Sequence, residues 1–224
     1  MVKIIAIDGP SGAGKGVVSR MLAKNLGFHY LDSGVLYRLL GLVAVRHKID
    51  TKSNRNLTRL AENMDVRFEA MTNGDNRVFL EGEDVTHELR TEQTAALASQ
   101  VAASSQVRKA LLLRQRRFAK APGLIADGRD MGTVVFPNAI LKIYLTASIE
   151  ERAQRRYKQL LEKGEDVSLR ALEEQVRSRD ERDMSRDVSP LVVAADAVEL
   201  DTSKLSVQEV LDTVLNIAIL RGLM

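Results

Sequence analysis

The chain has 224 residues, 45% hydrophobic and 28% charged, a balance that fits a folded domain with a substantial core and argues against disorder. It contains no cysteine, which excludes a disulfide framework and thiolate metal sites. Lys and Arg number 33 against 30 Asp and Glu, and aromatics make up only 4%, so the basic pI of about 9.2 comes without the stacking platform that single-stranded nucleic acid needs.

No apolar run is long enough to span a bilayer, and the N-terminus runs from Met1 straight into KIIAID without a charged region followed by an apolar one. The expectation is a cytoplasmic protein, working without membrane or nucleic acid. Lys3 to Asp8 is β-branched and apolar enough for a strand buried on both faces. A glycine-rich turn follows. Lys15 to Leu26 then carries Val18, Met21, Leu22 and Leu26 at helical spacing, with Gly27 as its terminator. Phe28 to Leu31 predicts a second short strand and Ser33 to His47 a second helix, a βαβα rhythm that implies a parallel α/β sheet.

The rhythm breaks near Asp65. Residues 65–69 and 77–81 alternate polar and apolar around the turn signal Asn73-Gly74-Asp75-Asn76, which predicts an antiparallel hairpin inserted at about residues 65–90. Helical spacing resumes through Leu97 and Leu111. Leu124 to Ala126, Ile140 to Leu145 and, more weakly, Val198 to Leu200 are further strand candidates. Ser148-x-x-Glu151 and Ser206-x-x-Glu209 both read as capping boxes, and Ser168 as the cap of the helix that carries Arg177 and Arg179.

Four segments carry chemistry. Gly9-Pro10-Ser11-Gly12-Ala13-Gly14-Lys15 has the spacing of a P-loop between a strand and a helix. Glycines let backbone N–H groups approach phosphate oxygens, the helix start adds its positive end, and Lys15 supplies a movable charge. Gly16 and Val17 then lack the hydroxyl usual after the lysine, and Ser19 should face elsewhere, so this loop offers Mg²⁺ no direct hydroxyl ligand. Leu31-Asp32-Ser33-Gly34 with Tyr37-Arg38 lies where a strand passes into a helix; taken alone, Ser33 reads equally as a helix cap and Arg38 as a solvated residue. Asp127-Gly128-Arg129-Asp130-Met131-Gly132 follows a predicted strand, where ligands of open α/β sheets bind. It offers a carboxylate near Mg²⁺ and a guanidinium for phosphate, or simply an ion-paired turn. The stretch from Glu151 to Arg186 is dense in arginine on both sides of Glu162-Lys163-Gly164-Glu165-Asp166. It reads as a solvated helix–loop–helix or, given the P-loop, as a lid over about residues 152–186 that closes on phosphates. A GTPase should carry Asn-Lys-x-Asp and Asp-x-x-Gly; neither string occurs.

With these segments in order, the whole chain resembles the bacterial cytidylate kinase family of nucleoside monophosphate kinases. The similarity is carried by GPSGAGKG, LDSGVLYR, LEGEDVT, SQVAASSQVR, IADGRDMGTVVFP and RSRDERDMSR. The resemblance implies one three-layer P-loop kinase domain over residues 1–224, with a central parallel five-stranded sheet between helices, a small antiparallel insert and a helical lid. It implies ATP as donor with Mg²⁺, CMP or dCMP as acceptor, and a monomer. By resemblance, Gly9, Pro10, Ser11, Gly12, Ala13, Gly14, Lys15, Gly16, Val17 and Arg155 bind ATP. Ser33, Arg38, Ser99, Arg108, Arg129, Asp130, Arg179, Asp183 and Arg186 bind CMP. Lys15, Arg129, Arg152 and Arg156 act on the transferring phosphoryl group, and Asp127 stands near Mg²⁺-bound water. Within that assignment Asp130 accepts from the cytosine amino group and Arg108 donates to the ring side; uracil would turn a carbonyl to the carboxylate.

Overall fold

The computed structural model describes residues 2–51, 53–70, 76–162 and 164–223. In chain order its elements are β1 (Lys3–Asp8), α1 (Lys15–Leu26), β2 (His29–Asp32), α2 (Ser33–Arg46), α3 (Asn54–Asn63), β3 (Val66–Ala70), β4 (Asn76–Leu80) and β5 (Glu83–Asp84). There follow α4 (Glu92–Val101), α5 (Ser105–Arg116), β6 (Gly123–Asp127), β7 (Leu141–Thr146), α6 (Ile149–Leu161), α7 (Leu169–Met184), β8 (Val198–Asp201) and α8 (Val207–Leu220). A short 3₁₀ turn spans Glu88–Arg90 and a π-helical turn spans Met131–Val135. The chain divides into two compact units, residues 1–31 with 119–224 and residues 32–118.

The first unit is built on a five-stranded sheet in the order β2-β6-β1-β7-β8. β1 pairs in parallel with both β6 and β7, and β7 with β8, as the predicted buried strands require. Ile5 and Ile7 of β1, Ile125 of β6 and Ile143 of β7 meet Val18 and Leu22 of α1 and Val210 and Val214 of α8 in one core. The alternation that fails in β1, β6 and β7 is therefore explained: both faces are covered. β2 starts at His29, one residue later than predicted. Phe28 is instead laid over Gly123, where a Cβ would come within 2.5 Å of its ring.

The second unit packs helices beside a small antiparallel sheet. Leu36, Leu39 and Leu40 of α2 are fully buried, and at Gly41 a Cβ would stand 2.7 Å from that of Leu97, so α2 and α4 touch backbone to side chain there. The expected hairpin is present as β3 and β4, paired from Val66 with Leu80 to Ala70 with Asn76, and extended by β5 to three strands. Residues 73–75 of the turn signal lie outside the described residues, as does Lys163 in the break of the arginine-dense stretch. Helix α3 was not foreseen, although Leu57, Leu60, Ala61 and Met64 stand at helical spacing and Leu57, Ala61 and Met64 are buried.

The start signals divide. Ser206 and Glu209 form a complete capping box, and Ser168 accepts from the Ala171 N–H. Ser148 accepts from the Glu151 N–H, but the Glu151 carboxylate does not return the bond; it takes Arg155 Nε at 3.2 Å, an i,i+4 partner the box reading overlooked. Among the described residues no helix is long and apolar enough to cross a membrane.

Candidate active site

In the first unit, β1 and β6 run parallel with Ile7 beside Asp127, so the loops that follow them leave the same sheet edge. β7 ends on that edge too and feeds α6. Gly9 shows why the loop after β1 must begin with glycine: its φ is +143°, and a Cβ would sit 1.9 Å from the Leu145 carbonyl oxygen. Gly12, at φ +83°, lies against the stem of Arg152, with Cβ-to-Cβ room of only 3.0 Å. Helix α1 opens on Gly14 in the left-handed region with no side-chain cap and no acidic residue in its first turn. Its positive end is left for an anion.

Lys15 is buried and donates from Nζ to the Pro10 carbonyl at 2.8 Å. Burial pushes its ammonium down to about 7, and Arg129 adds to the depression, while Asp127 and Asp8 pull upward and Arg179 again downward. These charges reach the lysine from β1, from the loop after β6 and from α7. Lys15 thus lies within electrostatic reach of Asp127, Arg129 and Arg179.

Arg129 donates from Nε to Asp183 Oδ2 at 2.8 Å and from Nη1 to the Gly128 carbonyl at 3.2 Å. Arg186 pairs with the other oxygen of Asp183. Burial raises the Asp183 carboxyl, but Arg129 and Arg186 outweigh it and hold the group below the usual carboxylate range. Burial likewise works against the Arg129 charge and Asp183 overcomes it, so the pair is ionised throughout the physiological range.

The arginines of α6 are engaged in ways the sequence did not reveal. Arg152, only 3% exposed, donates from Nε to the Ala147 carbonyl and from Nη1 to the Ser11 carbonyl, each at 3.0 Å. It also forks onto Asp180 of α7 at 3.1 and 2.5 Å. Four of its five N–H groups are thereby used, which makes it a brace between α7 and the glycine loop. Arg155 donates to the Thr202 hydroxyl and carbonyl at 3.1 and 2.5 Å, and Arg156 to Gln159 at 3.2 Å.

Asp127 is buried, accepts from the Tyr30 hydroxyl at 3.3 Å, and lies 3.4 Å from where a Gly16 Cβ would stand. Among the described residues no group of three His, Cys, Asp or Glu side chains gathers to hold a metal. Mg²⁺ bound with a nucleotide needs no such group, since phosphate oxygens and waters fill most of its shell. The small room beside Gly16, faced by the Asp127 carboxylate, fits that pattern.

Val17 is 40% exposed on the first turn of α1. Ser19, two positions on, is fully buried and its hydroxyl has no partner. Val17→Thr therefore puts a hydroxyl at the open end of the helix without burying it. The expected result is a two- to tenfold gain in kcat/KM for ATP (about 0.4–1.4 kcal/mol) with the melting temperature almost unchanged. Titration of ATP at saturating acceptor checks it, and unchanged kinetics would show that position 17 does not meet phosphate.

The second unit holds the remaining candidates. Ser33 is buried just inside α2, whose cap is Asp32 rather than the serine. Arg38 donates from Nη1 to the Leu89 carbonyl at 3.3 Å. Ser99 is buried in α4 with a hydroxyl that finds no partner among the described residues, a feature that a polar ligand would satisfy. Arg108 is buried in α5, donates to the Ala102 carbonyl at 3.3 Å and stands over the Tyr37 ring at 5.4 Å. Asp8 is the residue that sequence reading missed. Its buried carboxylate accepts the Met131 and Gly132 N–H groups at 2.8 and 2.7 Å.

A strand, a glycine loop and an uncapped helix around a buried lysine make a P-loop nucleotide-binding fold, and the arginines arrayed along the same edge mark its phosphotransferase branch. The family model described as Cytidylate kinase matches residues 5–219. The chain is 56% identical over 221 residues to the Cytidylate kinase of Pseudomonas savastanoi pv. phaseolicola, covering 98% of this chain and 96% of that one. It is 56% identical over 216 residues to that of Stutzerimonas stutzeri, with 96% and 94% covered. For the Cytidylate kinase of Shewanella sp. strain MR-4 the identity is 55% over 214 residues, with 95% and 93% covered. The chain belongs to the cytidylate kinase family.

Proposed function

We propose that the chain transfers the γ-phosphoryl group of ATP to CMP or dCMP, giving CDP or dCDP and ADP. The observation that carries this reading is the uncapped start of α1 at buried Lys15, with Arg129, held by Asp183, in the loop that leaves the same sheet edge. An acceptor phosphate is already an anion and needs no general base. The protein has to bring two mutually repelling anions into line and spread the charge that develops between them. Gly9 to Val17 and Arg155 hold the ATP phosphates, and Lys15 works at the transferring end. Arg129, with Arg152 and Arg156 of the lid, balances charge on the phosphoryl group and its acceptor.

Asp127 would hold, through water, a Mg²⁺ ion that would neutralise phosphate charge on ATP. In this reading Arg129, Asp130, Arg179, Asp183 and Arg186 are the acceptor residues of the first unit, and Ser33, Arg38, Ser99 and Arg108 those of the second. Asp130 accepts from the cytosine amino group and Arg108 donates to the ring. The chain acts as a cytoplasmic monomer on free nucleotides, and its evenly mixed charge supports the absence of a nucleic-acid partner. A gel shift against RNA, expected to show no tight complex, accompanies the kinase assay.

ADP release measured across the ribo- and deoxy-monophosphates tests the proposal. CMP and dCMP are expected to be the best acceptors, UMP at least about tenfold poorer, and AMP and GMP negligible. The basis is that a buried carboxylate left facing a carbonyl costs roughly 1–3 kcal/mol or more. Equal kcat/KM for AMP and CMP would overturn the assignment.

A further inference from the structure

Asp8 ends β1, immediately before the first glycine of the phosphate loop, and its side chain is turned to another segment of the same unit. Both carboxylate oxygens are used there. Oδ1 takes the Met131 N–H and Oδ2 the Gly132 N–H, the two amides that directly follow Asp130. On its other side the Asp130 carbonyl accepts from the Val134 and Val135 N–H groups at 2.9 and 3.0 Å, and the Met131 carbonyl from Phe136 at 2.7 Å. The peptide between Asp130 and Met131 is therefore pinned at its oxygen by the π-helical turn and at its nitrogen by Asp8.

Gly132 permits the approach. A Cβ there would press to 3.0 Å from the Lys142 stem and 3.4 Å from Asp8 Oδ2. Asp130 itself sits at φ −143°, ψ 25°, outside helical geometry, so its orientation depends on these bonds rather than on a helix. The charged and titratable groups that face Asp8 are Asp130, Lys15 and Tyr144, with the Lys142 stem across Gly132. Burial pushes the Asp8 carboxyl up to about 6, and the two amide donors offset only part of that rise.

We infer that Asp8 is a positioning residue for the acceptor base, acting through the Met131 and Gly132 amides to fix the backbone that presents Arg129 and Asp130. The inference rests on the CMP kinase reading and deepens it, since it ties the first residue before the donor loop to recognition of the acceptor. Asp8→Asn keeps the shape but offers one carbonyl oxygen for two N–H groups and turns an NH₂ toward the other.

The variant is expected to raise KM for CMP about tenfold while KM for ATP stays within about twofold, and to narrow the CMP-over-UMP preference by a similar factor. A purely structural Asp8 would lower the melting temperature and leave that preference untouched, or raise both KM values together; either result overturns the inference. If Asp8→Asn does not fold, the amide resonances of Met131 and Gly132 in the wild-type protein decide. Saturation with CMP shifts both if the link exists, and resonances that stay in place sink it. Wild-type protein that turns over no CMP would defeat the kinase reading itself, whereas CMP turnover with an Asp8→Asn variant of unchanged CMP KM defeats this inference alone.

Discussion

Lys15→Met is expected to lower kcat about a thousandfold while raising the melting temperature of the nucleotide-free protein by about 4–8 °C, the equivalent of about 2 kcal/mol. The two effects have one cause. The ammonium is buried against the loop, near Arg129 and Arg179, and its pKa is pushed down to about 7. Between pH 7 and 10.5 the unfolded chain holds a proton that the folded chain does not, so this group's contribution to stability rises with pH across that window and is lost as pH falls through about 7. Methionine removes the penalty, and the lost bond to the Pro10 carbonyl offsets only about 1 kcal/mol. The gain should therefore be largest at pH 7 and below and fade toward pH 10.5. With ATP present the wild type should regain the advantage, because phosphate charge gives the ammonium its partner. Thermal melts with and without ATP, beside turnover rates, check the whole pattern. A variant that retained more than about a tenth of the wild-type rate would remove Lys15 from its assigned role.

Asp180→Ala should cost about 3–5 kcal/mol of stability and lower the melting temperature by about 10 °C. The alanine strands Arg152, which is 3% exposed and forked onto Asp180, with no other carboxylate of the described residues bonded to it. Water cannot reach it to compensate. Because the same guanidinium holds the Ser11 carbonyl, KM for ATP should rise several-fold as well. Pairing the change with Arg152→Met should recover much of the stability but not the ATP affinity. That contrast separates the cost of an orphaned charge from the work of the brace. An unchanged melting temperature for Asp180→Ala would mean that Arg152 finds another partner.

The strands and the donor loop could be read from the sequence because their signals are local. β1, β6 and β7 announce themselves as short apolar runs. The loop after β1 is marked by glycines at fixed spacing, and Ser206 with Glu209 closes its box within one turn. What escaped reading depends on residues distant in the chain. Nothing near Arg152 in the chain reveals Asp180 as its partner, and Arg155 gave no hint of Thr202. Asp8 looked like the polar end of a strand; its two amide partners lie across the sheet in a π-helical turn that has no sequence period of its own. Glu151 shows a local failure. Two plausible partners were within reach, the cap and Arg155, and the box rule counted only one.

The strand order has a consequence for how the protein comes into being. β1 emerges from the ribosome before the other elements of the sheet, yet its hydrogen-bonding neighbours on either side are β6 and β7. One edge of β1 cannot be paired until residues 123–127 have been synthesised, and the other until residues 141–146 have. Residues 32–118 form a compact unit that is contiguous in the chain, so its whole sequence is made much earlier. During translation the nucleotide-binding half therefore waits as an open apolar strand and a loop without a sheet to anchor it, while residues 32–118 have already been made. Truncation anywhere before β7 leaves the phosphate loop sequence intact and removes the neighbour against which Gly9 is packed.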